Sequence, residues 1–87
     1  PNPFKSSTHF TFRNLQSGDV SIKIFTLNGL LVEEIYGGYK ERGFNRVFWD
    51  GYDSFGDKPA AGIYLYTLKL DHDNGAETSR GKLVLLP

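Results

Sequence analysis

The sequence contains no cysteine, which removes disulfides, thiolate nucleophiles and cysteine-type zinc sites together. Absence of disulfides leaves the compartment open, because a well-packed sandwich holds together without them. No run approaches the roughly 20 apolar residues that span a bilayer, and no transmembrane segment is expected. Residues 1–87 show no charged-then-apolar leader pattern. Net charge is also missing: ten basic and ten acidic residues cancel. The nearest thing to a basic stripe, Lys40-Glu41-Arg42, is interrupted by its own acid, which argues against nucleic acid as a partner. Helical periodicity is lacking as well. No segment repeats apolar residues at three and four over two turns, and Tyr39 to Gly43 is too short and interrupted for a helix.

What the chain does have is aromatic side chains, 15% of 87 residues, and alternation. A domain this small buries only about 60–65% of the surface its unfolded chain exposes, so large rings must make the core efficient. His9-Phe10-Thr11-Phe12-Arg13 puts both phenylalanines on one side, and Val20-Ser21-Ile22-Lys23-Ile24 repeats the pattern with β-branched residues inward. Asn28-Gly29 signals a hairpin. Leu30 to Tyr36 returns, but Leu31, Val32 and Ile35 share no strict period of two, so a bulge or twist is expected before Gly37-Gly38 ends the strand. Phe44 to Asp50 forms the next strand, with Val47 and Trp49, the only tryptophan, facing the core. Gly62 to Asp71 carries Tyr64, Tyr66, Leu68 and Leu70 on one side, Asp73-Asn74-Gly75 turns, and Arg80 to Leu86 closes the sheet. The expected fold is all-β: an antiparallel, Ig-like β-sandwich of about seven strands, one domain over residues 1–87.

The chemistry-bearing residues are sparse. Nucleophilic catalysis needs a hydroxyl, a base and an orienting acid. Only His9 and His72 offer the base, His9 on the outward face of the first strand and His72 beside a hairpin turn; both read as solvated, and an enzyme is the least favoured class. Asp50, Asp53 and Asp57 share one loop. Their oxygens raise a calcium site as an alternative, but the spacing is not that of an EF-hand, and Asx turns explain the same residues without a metal. No cofactor is expected. Phe44 and Phe48 fall on the face opposite Trp49, with Tyr52 nearby. They form either an exposed platform for a sugar or a protein, or a satellite core covered by the Pro3-Phe4 segment; the covered reading is favoured.

Pro1-Asn2-Pro3-Phe4, Val20 to Phe25 with Asn28-Gly29, Trp49-Asp50-Gly51 with Gly56, and Ala61-Gly62-Ile63-Tyr64 together resemble the flagellar hook-capping-type Ig-like domain. They are similar also to the C-terminal sorting domains of proteins exported by the type IX secretion system. The resemblance spans essentially the whole chain. It implies a non-catalytic C-terminal module of a larger secreted protein, carried through the periplasm to the cell surface and read by a secretion translocon and its processing machinery. A monomer is expected, and a neighbouring domain of the parent protein is the other expected partner. Lys82, Leu83, Val84, Leu85 and Leu86 resemble the closing strand of such domains, and recognition would rest on them and on Gly62, Ile63 and Tyr64. Pro87 departs from the basic residue on which those domains usually finish. A carbohydrate-binding accessory module, using Phe44, Phe48 and Tyr52, and a structural Ig-like spacer are the alternatives.

Overall fold

In the computed structural model, which describes residues 6–87, six strands form two antiparallel sheets. They are β1 (Thr8–Asn14), β2 (Gly18–Phe25), β3 (Leu31–Lys40), β4 (Gly43–Trp49), β5 (Gly62–His72) and β6 (Gly75–Leu85). One sheet has the order β3-β2-β5-β6 and the other is the pair β1-β4. The readings placed on Pro1-Asn2-Pro3-Phe4, including the covering role given to Pro3-Phe4, lie outside the described residues.

Alternation builds the sandwich. Val20, Ile22 and Ile24 of β2 are almost completely buried, because β2 is central in its sheet and its inward row lies under the β1-β4 pair. From that pair Phe10, Val47 and Trp49 descend, and Tyr64, Leu68, Leu70, Leu83 and Leu85 complete the core. Each such side chain contributes about 1.5–3 kcal/mol by leaving water. The Phe10 and Tyr66 rings meet edge to face, centroids 5.0 Å apart, and tie the two sheets together.

The count of six strands corrects the expectation of about seven, and two local boundaries shift with it. Gly37-Gly38 does not end β3, which continues to Lys40. The strand instead slips register against β2 between Val20 and Ser21, and again between Ile24 and Phe25. The second shift, which leaves Val32 extra, is the bulge expected from the broken apolar period; the first, which leaves Gly37 extra, falls where the strand was expected to end. The closing strand begins at Gly75 rather than near Arg80, since the two-residue turn at Asp73-Asn74 locks His72 opposite Gly75 and carries the register through residues 76–80. Residues 50–61 add no strand. Their backbone groups bond among themselves, from Asp53 N–H to Asp57 O at 2.8 Å and Gly56 N–H to Asp53 O at 3.1 Å, while Ser54 N–H reaches Val32 O at 3.0 Å.

Trp49 is fixed from both ends of its ring. Its body is buried, and its indole Nε1–H donates to Tyr52 O at 2.9 Å, so the largest core residue leaves no unpaired donor. Between them Gly51 adopts φ 87°, and a β-carbon there would stand 1.7 Å from Ser6 O. The Trp49-Asp50-Gly51 sequence thus has a packing cause: the strand end must turn sharply against the segment leading into β1.

Candidate recognition surface

Strand register converts the sequence motif into two separate sets of residues. Leu83 and Leu85 pair with Tyr64 and Gly62 and face inward; Tyr64, Leu83 and Leu85 are all core residues. Lys82 and Val84 pair with Leu65 and Ile63 on the outward side. Ile63 is 47% exposed and Leu65 38%, large values for apolar side chains on a sheet. Leu65 also pairs with Phe25 of β2, and Phe25 with Leu31 of β3. The outer face therefore carries, at one end, an apolar row of Leu31, Phe25 and Leu65 running across three strands, with Ile63 and Val84 below it. Leu86 lies just beyond β6 and is 36% exposed. Sequence reasoning selected Ile63 and Val84 but missed Phe25, Leu31 and Leu65, because only cross-strand register makes them neighbours.

Tyr64 has a second role inside the core. Its hydroxyl donates to Ala60 O at 2.5 Å, which closes the loop onto the start of β5. Burial raises the phenol pKa above its ordinary value near 10, since the phenolate would lose its hydration.

The other outward face belongs to β1 and β4. Cross-strand pairs there are His9–Phe48, Thr11–Arg46 and Arg13–Phe44. Phe44 is 79% exposed and Phe48 53%. This corrects the expectation that they are covered: β1 and β4 have nothing described outside them. Each ring has a cross-strand companion, His9 tilted against Phe48 with centroids 5.3 Å apart and the Arg13 guanidinium 5.7 Å from the Phe44 centroid. Tyr52 stands apart from this row, in the loop after β4, where its carbonyl holds Trp49.

The aspartates of that loop are turn formers. Asp50 Oδ1 accepts from Tyr52 N–H at 2.9 Å, and Asp53 Oδ1 accepts from both Phe55 N–H and Asp57 N–H at 2.9 Å. Asp50, Asp53 and Asp57 do not converge, and among the described residues no group of three or more metal-ligating side chains comes together.

The two histidines diverge. His9 is exposed as expected. The His72 side chain, expected to be solvated, is only 6% exposed: Glu77 Oε2 lies 3.2 Å from Nε2, and Nδ1 accepts from Asn74 N–H at 3.1 Å. Accepting at Nδ1 places the proton of the neutral ring on Nε2, toward Glu77. The tight hairpin folds the ring back over its own turn. The partners of His72, Glu77 and Asn74, are those of a structural cap.

No family model matches the chain, and no curated protein matches it. Solved structures do. FlgD from P. aeruginosa superposes with a TM-score of 0.77 at 22% identity, covering 88% of this chain and 59% of that one. FlgD from Xanthomonas campestris, described for its hook capping in flagellar assembly, gives 0.72 at 25% identity over 95% of this chain and 58% of its own. The fold also occurs in a type IX secretion protein. Dimeric latent PorU from Porphyromonas gingivalis gives a TM-score of 0.80 at 24% identity, covering 99% of this chain but only 9% of PorU. The structural neighbours thus include both groups that the sequence resembles. The chain spans under two thirds of the hook-capping proteins and less than a tenth of PorU, so the likeness is one of fold.

Proposed function

We propose that the chain is a non-catalytic C-terminal sorting and attachment domain that directs a passenger protein through the type IX secretion system to the cell surface. The observation that carries this reading is the outward apolar patch where the last strand meets the start of β5: Ile63 beside Val84, Leu65 beside Lys82, flanked by Phe25 and Leu31. The residues resembling the sorting motif divide by alternation, so one half holds the core and the other half is presented to a partner. The fold likeness to PorU supports a domain related to type IX secretion. The partners in this reading are the translocon and its processing machinery, reached after passage through the periplasm.

The test fuses residues 1–87 behind a signal-peptide-bearing reporter, in a bacterium with the type IX system and in the same strain with the translocon disabled. Surface display that requires the translocon is the expected result, and the paired change Ile63→Glu with Leu65→Glu reduces it at least fivefold while the reporter fusion stays folded. Retention in the periplasm of both strains overturns the proposal. That outcome would favour a structural module, the reading supported by the likeness to the hook-capping proteins.

A further inference from the structure

The outward face of β1 and β4 combines exposed aromatic rings with cationic side chains. Neither strand contains an aspartate or glutamate, yet the face carries Arg13, Arg46 and His9. Neither arginine forms an ion pair among the described residues; Arg13 lies against the Phe44 ring instead. On β4 the outward row runs Phe44, Arg46, Phe48, with neighbours about 7 Å apart and the rings roughly 13 Å apart, from a rise of about 3.3 Å per residue. Thr11, cross-strand to Arg46, adds a hydroxyl at the centre.

From this arrangement the geometry points to a binding face for a carboxylate-bearing polysaccharide, a uronate-type chain laid along β4. An aromatic ring offers its face to the C–H side of a sugar, and a guanidinium forks onto a carboxylate with two parallel hydrogen bonds. Ring, cation and ring in one row match a polymer that alternates sugar faces with acidic groups. Arginine and aromatic residues are enriched at protein interfaces as well, so an acidic protein segment is the competing occupant, and poly-glutamate stands for it in the test below. Nucleic acid fits less well. Two arginines neutralise few of the closely spaced phosphates of a nucleic acid. The face lies on the opposite side of the sandwich from Ile63 and Leu65, so it is independent of the sorting patch.

Calorimetric titration of the purified chain with hexagalacturonate tests this. The same hexamer fully methyl-esterified removes the charge and keeps the sugar faces; poly-glutamate and oligo-dT supply acidic polymers without sugar carboxylates. Binding to hexagalacturonate is expected to exceed each of the other three at least tenfold and to weaken with salt. Arg46→Gln and Phe48→Ala each lower it at least fivefold, whereas Lys69→Gln, on the opposite sheet, leaves it unchanged. Near-ultraviolet dichroism of Trp49 verifies that each variant keeps its core. The proposal is overturned if hexagalacturonate does not bind, if the ester, poly-glutamate or oligo-dT binds as tightly, or if the two β4 variants bind like the parent.

Discussion

The two outward faces of the sandwich are built from the same alternating pattern and end with different surfaces. On the four-stranded sheet cations and acids are mixed: Lys23 stands opposite Glu34, Lys69 lies 3.7 Å from Asp71, and Lys82 stands opposite Leu65. Exposed pairs of this kind are worth little in stability, so what marks that face is its apolar end. On the two-stranded sheet neither arginine forms an ion pair among the described residues, and the rings of Phe44 and Phe48 are exposed. The difference shows where selection for packing stops. An inward row is fixed by the core, whereas an outward row is free to specialise, and here the two rows have diverged toward an apolar contact and a cationic one.

The sharpest way to break this contrast compares neighbours on one strand. Trp49→Ala empties the core and frees Tyr52 O, and is expected to cost about 3–5 kcal/mol in urea unfolding. Phe48→Ala, one residue away on the solvent side, changes stability by no more than about 0.5 kcal/mol. Equal losses would mean that Phe48 is part of the core after all.

Next in size is the turn that binds β4 to the segment before β1. Gly51→Ala is expected to destabilise by about 1–3 kcal/mol or more, since a β-carbon meets the Ser6 carbonyl in a backbone region that strains any side chain. Gly29→Ala has a similar positive φ of 91° with nothing within reach, and the strain alone amounts to about 1 kcal/mol. Thermal denaturation of the two variants separates collision from strain.

A smaller effect concerns Tyr64, which joins the core to the loop. Tyr64→Phe keeps the ring and loses the bond to Ala60 O, an expected cost of about 1 kcal/mol. Because the folded phenol ionises at higher pH than the unfolded one, its contribution is complete below pH 10 and declines as pH rises through the folded value. The parent therefore loses stability on the alkaline side more steeply than Tyr64→Phe; identical alkaline limbs would show that this group does not couple to folding.

The smallest expected change in stability, within about 0.5 kcal/mol, belongs to Arg46→Gln and to Ile63→Glu. Their value lies in that smallness. Urea midpoints close to the parent's make any loss of display or of polysaccharide binding a surface effect.

Much of the fold was legible because short-range chemistry carries it. Val20, Ile22 and Ile24 alternate with polar residues and proved to be the centre; Asn28-Gly29 and Asp73-Asn74-Gly75 proved to be hairpin turns. Thr26 completes the first of these, its hydroxyl accepting from Leu30 N–H at 3.0 Å. Less legible were the stretches whose conformation is imposed by a partner strand. Residues 76–80 contain no large apolar side chain and read as loop, yet the adjacent turn and β5 hold them extended. Gly37-Gly38 reads as a break, yet pairing with β2 absorbs it as a bulge. For the candidate sites, the motif around Ile63 and Val84 was visible in sequence, while the ring and cation pairs of β1 and β4 were not, since nothing local says that residue 9 meets 48 or that 13 meets 44.

Side-chain period and turn propensity act over a few residues, so the apolar side of β1, β2, β4 and β5, the chain reversals and the tryptophan anchor could be read from local order alone. Which strands lie side by side could not. That choice depends on contacts between residues far apart in the chain, and it separates Leu83 and Leu85 in the core from Ile63 and Leu65 on the surface, and gathers Arg13, Arg46, Phe44 and Phe48 onto one face.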